Sequence, residues 1–203
     1  MSTSSLPTPV RQLERLGLPF LSPMPALPAS PGAVLLMVRS PTPTGIADGM
    51  GLVATGPVAA YETHFATNVV GPLRLFQNLL PLLQASSKPQ FLGVSSAVGS
   101  NTLKVPMPTA HGGVSKAALN FLVTKIASEH GDKDGLTAWV THPGLVETDM
   151  GNTGIEMLKA IGVEVPSITV DESVAGLSKL VDNATKETMG GKFIQYDGSP
   201  LPW

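Results

Sequence analysis

The chain contains no cysteine. That excludes disulfide bonds, thiolate nucleophiles and thiolate metal sites, and it fits a reducing compartment such as the cytoplasm. Basic excess is also lacking, with 13 lysines and arginines against 15 acidic residues and a net charge of -2. A near-neutral chain cannot neutralise a run of phosphates, so nucleic acid is not an expected partner. No apolar run approaches the roughly 20 residues that span a bilayer, and no basic start followed by an apolar stretch marks a secretory leader. No membrane association is expected. Glycine is scarce early, with only Gly17 and Gly32 in residues 1–44. Neither lies in a turn of the kind that lets the backbone approach a pyrophosphate.

What is present suits one globular domain, since the chain has 203 residues of which 42% are apolar. Nine of the 19 prolines fall in residues 1–43. Proline fixes φ and lacks a donor, so this stretch cannot form a long helix or a central strand. Residues 1–31 read as a proline-rich irregular segment with one short helix over 10–16, and residues 32–203 as the folded domain. The first convincing strand is 33–38, a continuous apolar run suited to burial on both faces.

From residue 56 the pattern is regular. Val58, Tyr61, Phe65 and Val69, then Leu73, Phe76, Leu80 and Leu83, recur at helical spacing, with a kink expected at Gly71-Pro72. The stripe of Phe76, Leu79, Leu80 and Leu83 reads as core or dimer contact. Residues 91–95 and 136–140 read as buried strands. Val114, Ala117, Ala118, Phe121, Leu122 and Ile126 mark a helix between them, followed by a polar turn bracketed by Gly131 and Gly135. Thr169 and Glu172 have capping-box spacing ahead of Val174, Leu177, Leu180, Val181 and Ala184. Gly190-Gly191 closes that helix and 192–196 is a last strand. Strands alternating with helices predict an α/β fold, a curtailed doubly wound, mostly parallel sheet with helices on both faces.

Four groups carry chemistry in order: Asn68-Val69-Val70-Gly71 in a helix, Val94-Ser95-Ser96-Ala97 at a strand end, Ser115-Lys116-Ala117-Ala118 in the next helix, and His142-Pro143-Gly144-Leu145-Val146-Glu147-Thr148 after the next strand. Their order and spacing resemble the short-chain dehydrogenase/reductases. The closing Tyr196-Asp197-Gly198-Ser199-Pro200 is similar to fungal members of the norsolorinic acid ketoreductase type, from aromatic polyketide pathways. The resemblance implies a Rossmann-like fold, an NADP cofactor, an aromatic or polyketide-like ketone substrate and a homodimer pairing the helices around 66–84 and 113–129. It implies Ser96 as the hydroxyl that binds the substrate oxygen, Lys116 as the cation that tunes a catalytic tyrosine and holds the nicotinamide ribose, and Asn68 as the anchor of a water linked to that lysine. Pro143, Gly144, Val146 and Thr148 become the nicotinamide-side cofactor residues.

Each has a plainer reading. Ser96 could satisfy backbone at a strand end, and Asn68 could be a buried polar residue bonding a helix. Lys116 could be a solvated lysine, although a cation in a first helical turn opposes the helix dipole. Pro143-Gly144 would end a strand in any α/β protein. His142 reads as structural, and His64 and His130 as surface or helix-face residues.

The chain departs from the family at two places. The phosphate-binding turn is missing, the strand at 33–38 resembles the family's third strand with Ser40 where an adenine-contacting aspartate is usual, and Ile46-Ala47-Asp48-Gly49-Met50-Gly51 stands where Asn-Ala-Gly is expected. The helix between third and fourth strands is also absent. Four residues before Lys116, where the family has its tyrosine, stands Gly112. His111 is the nearest imidazole, but in a continuous helix it points about 100° away. It could return to the cleft only if Gly112-Gly113 unwound the helix start. Reductase activity and cofactor binding are therefore expected to be weak or absent. The alternatives are a cofactor-independent dehydratase, cyclase or isomerase built on Ser96, Lys116 and His111, or a non-catalytic paralogue or a reading frame that has lost exons.

Overall fold

The computed structural model describes Ala33–Val34 and residues 51–203. The expected helix at 10–16, the rest of segment 1–31, the remainder of strand 33–38, Ser40 and the motif at 46–50 lie outside the described residues.

Among the described residues the order is β1 (Ala33–Val34), α1 (Val58–Phe65), a π turn (Ala66–Val70), α2 (Gly71–Gln84), β2 (Lys88–Val94), a 3-10 turn (Ala97–Gly99), α3 (Ala110–Asp134), β3 (Thr137–His142), α4 (Asp149–Ala160), α5 (Val170–Asn183), α6 (Lys186–Met189) and β4 (Phe193–Gln195). The four strands pair in sequence order, every pair parallel. Parallel pairing demands crossovers, supplied by α3 between β2 and β3 and by α4 to α6 between β3 and β4.

Alternation along each strand splits the core. Phe91, Ala138, Val140 and Phe193 face α2 and α3, where Phe76, Leu79, Leu83, Leu119, Val123 and Ile126 meet them. Leu92, Trp139 and Ile194 face the other way, against Leu177 and Leu180 of α5. The fold is thus α/β with helices on both faces, as expected, and the Phe76, Leu79, Leu83 stripe is core.

Several local expectations change. The break expected at Gly71-Pro72 takes the form of a π turn. Pro72 has no N–H to give the carbonyl of Asn68, and the chain answers with the π turn, in which Gly71 N bonds Ala66 O. α3 runs through Gly131 and ends at Gly135, in the left-handed region at φ 66°. Lys116 therefore sits in the second turn of α3, not the first, which removes the dipole argument. The helix after Thr169 has its capping box, but breaks at Ala184 before α6. α4 had no counterpart in the expectations. Ala33–Val34 pairs with Lys88–Pro89 of β2. β1 is therefore the direct neighbour of the strand that leads to Ser95-Ser96. No helix among the described residues is long and apolar enough to cross a membrane.

Candidate active site

The carboxyl end of β2 gathers the first group. Ser96 caps the 3-10 turn, its Oγ accepting from Val98 N at a long 3.4 Å. Lys116 reaches the same strand end from α3, where Nζ donates to Val94 O at 2.8 Å. Its stem is trapped by close approach of helix and turn: a Cβ on Gly99 would lie 2.8 Å from Lys116 Cβ, and one on Gly113 would lie 2.9 Å from Val98 O. Buried Asn120 braces the arrangement, with Ser95 Oγ donating to Oδ1 at 2.5 Å and Nδ2 donating to Gly99 O at 3.4 Å. Burial pushes the Lys116 ammonium down from 10.5 to about 8, because the charged form loses water.

Asn68 lies in the π turn and donates from Nδ2 to Ser115 Oγ at 2.9 Å, while Ser115 donates to Gly112 O at 2.8 Å. It is thus tied to α3 one residue before Lys116. The structure gathers Ser96, Lys116 and, through Ser115, Asn68 around the start of α3. The phenol of Tyr61 reaches the start of α3 only against His111, not on the stripe of Gly112 and Lys116. Gly112 is helical and buried, yet a Cβ there would have one neighbour beyond the helix backbone, Thr109 Cβ at 3.9 Å.

His111 does not fill that space. α3 begins at Ala110, so Gly112-Gly113 does not unwind it. His111 is 2% exposed. Its ring stands edge-on to His64 at 4.3 Å and to Tyr61 at 5.9 Å, against the backbone of Gly51. One turn on, Ser115 shares its stripe, whereas Lys116 shares that of Gly112. His64, expected at the surface, is buried and its Nδ1 lies 2.8 Å from Ala60 O. No spacing in the sequence announces this cluster.

After β3 the chain turns at Pro143-Gly144. Gly144 adopts φ 88°, which favours glycine, and a Cβ there would meet Ile168 Cδ1 at 2.5 Å. Ser173 Oγ donates to Pro143 O at 2.6 Å. Val146 bridges Ile168, and Thr148 caps α4 by accepting from Gly151 N at 3.1 Å. Ser173 and Ile168 hold the turn from residues that the motif reading left out. His142 precedes the turn. Burial pushes its imidazole down to about 4, so it is neutral at pH 7, and its buried Nδ1 has no hydrogen-bond partner. A cleft of about 480 Å³ opens between Leu145, α4 residues Ile155 and Leu158, and segment 163–167. Ser96 and Lys116 do not line it.

The family model described as short chain dehydrogenase matches residues 43–159. The short chain dehydrogenase gsfK of Penicillium aethiopicum is 37% identical over 166 residues, covering 78% of this chain and 64% of that protein. Norsolorinic acid ketoreductase of Aspergillus parasiticus is 36% identical over 165 residues, covering 78% of this chain and 58% of its own. Among solved structures, the NADPH-bound carbonyl reductase from chicken fatty liver superposes with a TM-score of 0.65 at 28% identity, covering 76% of this chain and 62% of that one. The chain thus spans less than two thirds of the length of these relatives.

Proposed function

The chain belongs to the short-chain dehydrogenase family, and from that premise we propose a carbonyl-binding oxidoreductase site that has lost its proton-transfer group. The substrate class is an aromatic or polyketide-like ketone, supported by the similarity to norsolorinic acid ketoreductase. Ser96 Oγ would donate to the ketone oxygen, Lys116 would supply positive charge beside it, and Asn68 would hold α3 in place through Ser115. The observation that carries the reading is that buried Gly112 brings no side chain to the stripe of α3 that bears Lys116.

The cofactor implied by the family fits in part. The turn at Pro143-Gly144, with Val146, Thr148 and Lys116, suits the nicotinamide end, because Gly144 already holds the backbone conformation that opens the turn. The phosphate end does not fit, since residues 1–44 offer only Gly17 and Gly32. A bound NADPH would supply a hydride. The chain's own groups would polarise the carbonyl, but nothing at Gly112 can give the resulting alkoxide a proton from within about 3 Å. Each charge-assisted hydrogen bond is worth roughly 1.5–3 kcal/mol. Losing two or three weakens binding about a thousandfold, to a dissociation constant near or above about 1 mM. Calorimetric titration with NADPH tests this. Heat that saturates in the low micromolar range would refute it.

The orientation of His111 weighs against the cofactor-free reading, and reduction of an aromatic ketone should be slow and unaffected by His111→Ala. Loss of all turnover in that variant would make the histidine the acid. A homodimer through α2 and α3 is part of the proposal, supported by Phe121 at 70% and Val114 at 53% exposure on α3. Light scattering at micromolar concentration should give twice the 21.1 kDa chain mass, and a monomer would contradict it.

A further inference from the structure

We infer that the segment Leu201-Pro202-Trp203 positions the Ser96 hydroxyl, by tying the turn that follows Ser96 to β4. The inference rests on the reading of Ser96 as the group that binds the ketone oxygen. Ser96 heads a single 3-10 turn, Ala97–Gly99, closed by Gly99 N donating to Ser96 O at 2.9 Å and Ser100 N donating to Ala97 O at 3.1 Å. One such turn holds its shape poorly by itself, since few bonds offset the ordering of its residues. Its hydrogen bond from α3 is long, with Asn120 Nδ2 3.4 Å from Gly99 O. The Ser96 hydroxyl adds only its own 3.4 Å contact with Val98 N.

Shorter bonds come from residues 202 and 203. Ser100 is 5% exposed, and its Oγ donates to Pro202 O at 2.8 Å while accepting from Leu103 N at 3.0 Å. Thr102 donates twice to Trp203 O, from N at 2.9 Å and from Oγ1 at 2.6 Å. The segment is itself anchored. Gln195 N donates to Ser199 O and Leu201 N to Phe193 O, both at 2.8 Å, so the chain doubles back along β4. Leu201 packs against the core between the sheet and α2 and α3, and the Trp203 ring stacks on Phe193 at 5.6 Å. β3 lies between β2 and β4, so the segment links two strands that do not pair with each other. Lys104, two residues beyond Thr102, holds φ 48°, alone among the described non-glycine residues at positive φ. Such a conformation persists where neighbouring contacts fix it. A ketone oxygen is polarised only by a donor held within hydrogen-bond reach, so freeing the turn should cost the chemical step and leave cofactor binding alone.

The test removes both loop hydroxyls in the full chain with Ser100→Ala and Thr102→Val, and keeps them with Thr102→Ser. Thr102→Val alone, at an exposed position, carries the same test should the double variant not fold. Peptide-resolved hydrogen–deuterium exchange should show residues 97–103 exchanging at least about tenfold faster in the double variant. Residues 137–142 should be unchanged, and Thr102→Ser should behave as wild type. Ketone reduction with NADPH is then measured in the Gly112→Tyr background. There kcat should fall at least about tenfold while KM for NADPH stays. With Ser96→Ala already present the same substitutions should cost nothing further, because they act through that hydroxyl. Unchanged exchange at 97–103, or acceleration spread equally over 137–142, would overturn the inference. So would faster exchange with kcat intact, or a kcat loss undiminished by Ser96→Ala. If Gly112→Tyr shows no turnover, the reductase reading fails alone, and exchange still decides whether the segment holds the turn.

Discussion

Lys116→Met should stabilise the protein at neutral pH. The lysine titrates at about 8 in the folded chain against 10.5 as an ordinary side chain. Its folded value is depressed, so between those values the unfolded chain binds more protons. Stability then rises with pH across about 8 to 10.5, and the burial penalty is fully present below 8. The shift corresponds to about 3 kcal/mol. Methionine keeps an unbranched apolar stem but leaves Val94 O without the Nζ donor, a loss of about 1–2 kcal/mol. The net gain at pH 7 is therefore about 1–2 kcal/mol. Urea denaturation at pH 7 and pH 10 separates the two effects, because only the ionisation part depends on pH. Wild type should gain about 2.5 kcal/mol on the variant between those pH values, and the variant should be the less stable at pH 10. Parallel stabilities across the range would mean that Lys116 is solvated and that the site has been misread.

His142 gives the corresponding effect on the acid side. Its imidazole is depressed to about 4, so stability falls as pH drops from about 6.5 toward 4, by about 2 kcal/mol between pH 7.5 and 5. His142→Gln should flatten that part of the profile in a urea titration, and an unchanged slope would contradict the buried neutral imidazole. Gly51→Ala would drive a methyl into the His111 ring, so a thermal melt should show a loss of about 1–3 kcal/mol. An unaffected melt would show that the ring does not pack there.

Much of this was legible locally. The Thr169 capping box could be read because both partners lie three residues apart, and the two-faced sheet followed from apolar strands alternating with helices. Convergence of Ser96 and Lys116 was legible through the family's motif order. The rest depends on contacts between distant segments. α4 was missed because Gly151 and Gly154 interrupt its apolar pattern. Gly113 looked like a helix breaker, yet it lets α3 approach Val98 O. The Tyr61, His64 and His111 cluster joins α1 to α3 across more than forty residues. The place of β1 is set by its partner strand and not by its own sequence.

The measurement closest to the central claim is NADPH-dependent reduction of an aromatic ketone by wild type and by Gly112→Tyr, at millimolar NADPH to offset the weak phosphate site. A tyrosine at that position would stand one helical turn before Lys116, with its Cβ 3.9 Å from Thr109 Cβ. Restored acid catalysis is worth about 10²–10⁴-fold. The account predicts barely detectable turnover in wild type and a rise of at least about tenfold in the variant. Brisk wild-type turnover that Gly112→Tyr fails to raise would contradict it, because another group would then be supplying the proton.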